Sequence, residues 1–355
     1  MREPQHRDAR ARADEAHSAR RTAVDVEPGA DADVADRVVR VTLRRRLRLL
    51  PIGVTAAFVA FDLWLLPRST LIISPANYLA TAKTVTTLLV ALVGGALVRR
   101  RFRNDATRTG AFVRAMADRE IVFANAALVF AIFTAVAALF MFLASNTTAP
   151  LVDGQLAAAD AAIGFDWPTW LGRTNAVAHL PAILAFAYGT TGPVLAGLLA
   201  CLCFTRPEER VLELIALVTV TSLCTGILMY LLPAAGAYIW FHPQASLFDA
   251  FPTGAGVWHY RILSELRSGE PFTYEQGKAV GLVTFPSFHT ILAIITTYAA
   301  RGLRVVFPAL VVLNATMIVS TVPYGGHYLV DVLAGAVIAV VCIAAVRAIG
   351  GSPAE

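Results

Sequence analysis

Eight apolar runs constrain this chain more than any other feature of its sequence. They lie at about residues 50–66, 80–98, 121–144, 178–204, 211–233, 285–300, 304–321 and 327–348. A helix needs roughly 20 apolar residues to cross about 30 Å of hydrocarbon. Within lipid, a segment must satisfy its own backbone N–H and C=O groups, which a helix does. The expected fold class is therefore all-α: a polytopic membrane helical bundle of about eight transmembrane helices, the last six forming a core. Composition agrees, with 57% hydrophobic and 15% charged residues. Soluble domains carry roughly 45–50% and about 25%, so a soluble dinucleotide-binding or barrel enzyme is excluded.

The charges are concentrated at the start. Residues 1–48 hold 21 of the 55 Asp, Glu, Lys and Arg residues, leaving 34 for the other 307 positions. That segment reads as a charged, largely disordered cytoplasmic tail with a short helix near Val38–Leu50. Residues 49–120 read as two additional helices and a basic linker. Residues 121–348 read as the six-helix core with outer loops 145–177 and 234–284, and 349–355 as a cytoplasmic tail. Arg44, Arg45, Arg46 and Arg48 precede the first run, and Arg99–Arg101, Arg103, Arg206, Arg210 and Arg301 fall in alternate connections. Such a bias holds those connections and both termini in the cytoplasm. The net charge of +5 is accounted for by these membrane-flanking arginines, and no nucleic acid is expected as a partner. Gly189–Pro193 interrupts the fourth run and predicts a kink. The sixth run is short, which predicts an end recessed below the membrane surface.

Ionisable residues at or inside spans are costly and mark function. His289 begins one span in Phe-Pro-Ser-Phe-His, and His327 begins another in Gly-Gly-His-Tyr-Leu-Val-Asp, both at the outer side. His327 and Asp331 are four apart, so a helix places them on one face. A carboxylate on one ring nitrogen fixes the tautomer and leaves the other as a nucleophile or base. Both helices direct their N-termini outward, which is favourable ground for a phosphate. Ser287 can cap the first of them or donate to an anion.

Pro286-Ser287-x-His289 followed by His327-x-x-x-Asp331 resembles the second and third signature motifs of the type-2 phosphatidic acid phosphatase superfamily. The surrounding residues look most like its inositol phosphorylceramide synthase and sphingomyelin synthase-like branch, and the resemblance covers roughly residues 121–348. It implies a phosphatase-like core in which His327 attacks phosphorus, Asp331 orients it, His289 protonates the leaving group and Ser287 contacts phosphate. It also implies no metal and no cofactor. Two departures stand out. The third-motif Ser-Arg position reads Ser320-Thr321, and the first motif, Lys followed by Arg-Pro, is missing. Phosphate-binding groups must then come from elsewhere: Arg267 first, with Arg261 and Lys278 in the same outer loop, and the backbone at Gly326.

The resemblance implies an extracytoplasmic, cell-membrane enzyme acting on a lipid phosphate or phospholipid. Its phosphohistidine would pass to water in a phosphatase, or to inositol or a lipid alcohol in a transferase. The alternative from another class is a non-catalytic lipid-binding membrane protein with a degenerate site. His242, His259, Asp160, Asp166 and His179 read as surface or structural residues, with acceptor contacts as the functional alternative for the loop residues.

Overall fold

The computed structural model describes residues 28–350, and all eight apolar runs are helical within it. The chain forms α1 (Pro28–Leu65), β1 (Leu71–Ile73), α2 (Pro75–Arg101), α3 (Arg108–Ser145), α4 (Asp153–Ala162), α5 (Trp167–Ala176), α6 (Leu180–Gly189), α7 (Thr191–Thr205) and α8 (Glu208–Leu231). It continues through α9 (Ala237–Phe241), α10 (Tyr260–Arg267), β2 (Phe272–Tyr274), α11 (Phe288–Ala299), α12 (Val306–Thr321) and α13 (Leu329–Gly350). The fold is all-α apart from one short strand pair, and it is that of a multi-pass membrane protein.

Among the described residues five helices are long and apolar enough to cross a membrane, and α6 with α7 makes a sixth if the bent pair is one span. The bend is 47°, at the predicted interruption. Helices α11 and α12 have 12 and 16 residues, about 18 and 24 Å at roughly 1.5 Å per residue. Both are short of a full crossing, as the length of the sixth run predicts for α11.

Connections alternate between the two ends of the bundle. At one end Arg206 donates to the Gly302 carbonyl, Arg119 to Arg206 O at 2.6 Å, and Arg44 pairs with Glu209 at 2.7 Å. At the other end β1 pairs in parallel with β2, Leu71 opposite Phe272 and Ile73 opposite Tyr274. Asn146, just past α3, ties the two strands' surroundings together. Its Oδ1 accepts from Thr70 N at 3.1 Å, and its Nδ2 donates to Leu266 O at 2.7 Å.

Three expectations about organisation change. Residues 1–27 of the charged segment, and 351–355 of the C-terminal tail, lie outside the described residues. From Pro28, however, the segment read as an irregular tail is part of α1. Leu47 is buried, and Arg44 and Arg48 pair with Glu209 and Glu208, so the basic cluster is anchored to α8. The basic linker reduces to a turn at 102–107. There Thr107 Oγ1 caps α3 by accepting from Gly110 N at 3.0 Å, and residues 108–120 belong to the long helix. Outer loop 145–177 is largely helical, carrying α4 and α5, while 234–284 is mostly irregular around the short helices α9 and α10 and the strand β2. Asp166 starts α5 by accepting from Thr169 N at 2.7 Å, the capping role its residue type favours.

Glycine governs two close helix contacts. A Cβ at Gly226 of α8 would stand 2.8 Å from Phe140 Cε1 and 3.2 Å from Phe58 Cε1, so only glycine lets α1 and α3 close on α8 here. A Cβ at Gly335 of α13 would stand 2.6 Å from the carbonyl oxygen of Ser287. The start of α11 therefore lies directly on α13.

Candidate active site

The Gly-Gly-His-Tyr turn before α13 and the Pro-Ser-Phe-His entry to α11 meet through backbone. Ser287 N donates to Asp331 O at 3.0 Å. Ser287 is fully buried and its Oγ accepts from Thr290 N at 3.4 Å and Thr290 Oγ1 at 3.1 Å, which makes it the N-cap of α11. Its own hydroxyl proton has no partner among the described residues.

His327 Nδ1 lies 3.3 Å from Asp331 Oδ2, with 2% and 0% of the two side chains exposed. The same oxygen accepts from Tyr328 N at 2.9 Å, while Oδ1 is buried without a partner. A carboxylate placed this way holds Nδ1–H and leaves the lone pair on Nε2. Among the described residues Nε2 makes no hydrogen bond. His289 stacks on Tyr188, ring centroids 3.9 Å apart at 22°. Tyr188 in turn meets Tyr324 and Trp258 edge-on at 5.3 and 5.6 Å. A Cβ at Gly325 would stand 2.7 Å from Tyr188 and 3.1 Å from His327 Cδ2, so Tyr188 lies beside both histidines. The fold thus brings His327, Asp331, His289 and Ser287 to one place.

The expectation that both helix N-termini are free for phosphate changes at α13. Asp160 of α4 accepts from Leu329 N at 2.9 Å and Val330 N at 2.8 Å. A buried carboxylate from another helix already fills that terminus. Burial pushes the Asp160 carboxyl above its usual range, and the two backbone N–H bonds pull it back.

The candidate phosphate ligands divide. Arg261 and Lys278 are 78% exposed and paired with Glu265 at 2.7 Å and Glu275 at 2.8 Å. Short-range partners hold both at the surface, because each acid lies one helical turn away. Arg267 is half-buried: Nη2 donates to Ala149 O at 2.5 Å and Nη1 is buried without a partner. Gly326 has φ +75°, its carbonyl accepts from Ala237 N at 2.9 Å, and a Cβ there would meet Gly256 O at 2.8 Å. It is a tight-packing glycine, with its backbone already engaged. Among the described residues no lysine or arginine hydrogen-bonds or ion-pairs with His327, Asp331, His289 or Ser287.

Several positioning residues are not evident in the sequence. Asp153 is buried and accepts from Ala235 N, Gly236 N and Tyr328 Oη at 2.9, 2.8 and 3.0 Å. Trp167 Nε1 donates to His327 O at 3.0 Å. His259 is buried, not a surface histidine, and its Nε2 donates to Ala235 O at 2.9 Å. Burial holds its imidazole below the ordinary histidine range, with His327 adding to the effect. His242 and His179 are exposed, both at positive φ.

Fold and site together define a membrane protein with a histidine–aspartate centre at the junction of two apolar helices. The family model described as the PAP2 superfamily matches residues 154–345, and the chain belongs to that superfamily. The matched stretch runs from α4 into α13, so it includes Asp160, Ser287, His289, His327 and Asp331 and begins after α3. No curated protein and no solved structure matches the chain.

Proposed function

We propose that this protein is a lipid-phosphate phosphatase or phosphotransferase working through a phosphohistidine at His327. The single observation that carries the reading is the buried His327–Asp331 pair, with Nε2 unpartnered and His289 next to it across Tyr188. In the first step Nε2 of His327 attacks phosphorus while the bond from phosphorus to the leaving oxygen breaks. His289 delivers the proton that oxygen needs. The Tyr188 ring stacked on His289 fixes the orientation of the imidazole, and an anionic substrate phosphate beside it would favour its protonated form. Asp331 stabilises the positive charge that develops on His327. In the second step His289, now neutral, takes a proton from water or an alcohol as that oxygen attacks phosphorus, and the P–N bond breaks. Ser287 is the candidate hydroxyl donor to a phosphate oxygen, since its Oγ–H has no partner among the described residues.

The arginine bias of the other end supports an extracytoplasmic position for this one. The aromatic wall of Tyr188, Trp258 and Tyr324 favours an acceptor other than bulk water, because transfer requires water to be kept from the intermediate. An inositol or lipid alcohol is the matching acceptor class, as in the inositol phosphorylceramide synthase-like branch.

The test is phosphate release by purified protein from a panel of lipid phosphates, alone and with inositol or a lipid alcohol added, beside His327→Ala. Release or transfer that disappears in the variant supports the reading, and the acceptor dependence separates the two reactions. Silence in every arm leaves the binding-protein reading standing instead.

A further inference from the structure

The helices preceding the matched region, together with α8, build a second feature. Where α1, α3 and α8 meet α7 and α11, they line an open apolar cavity of about 350 Å³ whose walls include Phe58, Phe133, Phe140, Met141, Met229 and Leu292. Further toward the end of the bundle that carries β1 and β2, residues of α1, α3, α8 and α10 line a separate polar cleft of about 320 Å³. Its lining includes Arg68, Arg267, Asn146, Thr147, Thr148 and Tyr230, with no acidic side chain. Adjacent residues, Met229 and Tyr230, face the two spaces in turn. Both volumes fall within the range of small-ligand sites, about 300–1,000 Å³.

The cleft holds unspent donor capacity. Arg267 Nη1 is buried without a partner, an arrangement that is costly unless something accepts from it. Arg68 rests over the Trp64 ring at 5.1 Å and donates one bond to Trp64 O, leaving its other donors open. Asp153, the acid nearest Arg267 in charge effect, is already engaged by Ala235 N, Gly236 N and Tyr328 Oη.

We propose that this cleft and cavity together form a phospholipid site, an anionic headgroup lying between Arg68 and Arg267 and a hydrocarbon chain entering the Phe58–Phe140–Met229 cavity. A free phosphate would satisfy the arginines but would leave the apolar space unused, so a lipid is the occupant. The site's apolar end abuts α11, the helix that carries His289, through Phe288 and Leu292, while Arg68 and Tyr230 at its polar end take no part in the catalytic reading. It gives α1 and α3, which the family match leaves out, a role of their own.

The experiment is native mass spectrometry of the full chain in detergent, titrated separately with dioleoyl phosphatidylglycerol, dioleoyl phosphatidylcholine and inorganic phosphate. Phosphatidylglycerol should be retained about tenfold more strongly than phosphatidylcholine. Arg68→Gln, at an exposed position, should weaken it by about tenfold, the scale of a lost charged hydrogen bond, with an unchanged melting temperature showing that the fold is intact. Gly226→Ala, which narrows the junction of Phe58 and Phe140, should weaken both lipids together. Equal retention of the two lipids, retention unaffected by Arg68→Gln and Arg267→Gln, or displacement of the lipid by inorganic phosphate alone would each overturn the proposal.

Discussion

Both carboxylate oxygens of Asp160 accept from the first turn of α13, Oδ1 from Val330 N at 2.8 Å and Oδ2 from Leu329 N at 2.9 Å. The helix that carries Asp331 is thereby capped from α4, a helix about 170 residues earlier. Capping of this kind fixes where the helix starts, and so where His327 stands relative to Asp331.

Replacing Asp160 by Ala leaves two amide groups without partners. The expected cost is about 1–2 kcal/mol of stability, with a larger loss of activity because the His327 turn is freed. Asp160→Asn keeps one acceptor and should fall between. Thermal unfolding in detergent beside turnover checks both; an unchanged Asp160→Ala protein would show the cap to be dispensable.

Gly335→Ala tests the seam between the two motif helices. Its Cβ would press on the Ser287 carbonyl, backbone against backbone, at 2.6 Å. Overpacking of this sort costs about 1–3 kcal/mol. It should also separate Ser287 and His289 from Asp331, lowering kcat more than it raises KM. Steady-state kinetics on the variant give the answer, and wild-type kcat would mean the seam tolerates displacement.

These two contacts mark the limit of what the sequence makes legible. The eight apolar runs, the kink at 189–193 and the pairing of His327 with Asp331 follow from hydropathy, proline placement and helical spacing. Those are local properties of the chain. Asp160, Asp153 and Trp167 act on backbone groups or side chains more than 150 residues away, and no local pattern announces a partner at that distance. Arg261 and Lys278 mislead for a related reason. A loop arginine or lysine has the charge a phosphate needs, but Glu265 and Glu275, within a turn, hold it at the surface.

His259 predicts a pH dependence of stability. Burial lowers its pKa in the folded protein below the unfolded value of about 6.5. The unfolded state therefore binds the proton first. Stability from this group is fully present above about pH 6.5 and declines as pH falls below that value. His259→Gln keeps a donor for Ala235 O without the titrating ring, so its melting temperature should fall less than wild type between about pH 7.5 and 5.5, the range that brackets the unfolded histidine. Parallel slopes for the two proteins would assign the pH effect to other groups.

The account stands most directly on the covalent intermediate. Wild-type protein mixed with a turned-over lipid phosphate, quenched rapidly in base and digested, should yield a phosphorylated peptide containing His327. His327→Gln should yield none and should not turn over. Turnover by His327→Gln, or a phosphoryl group found on any other residue, would contradict the assignment of His327 as the nucleophile.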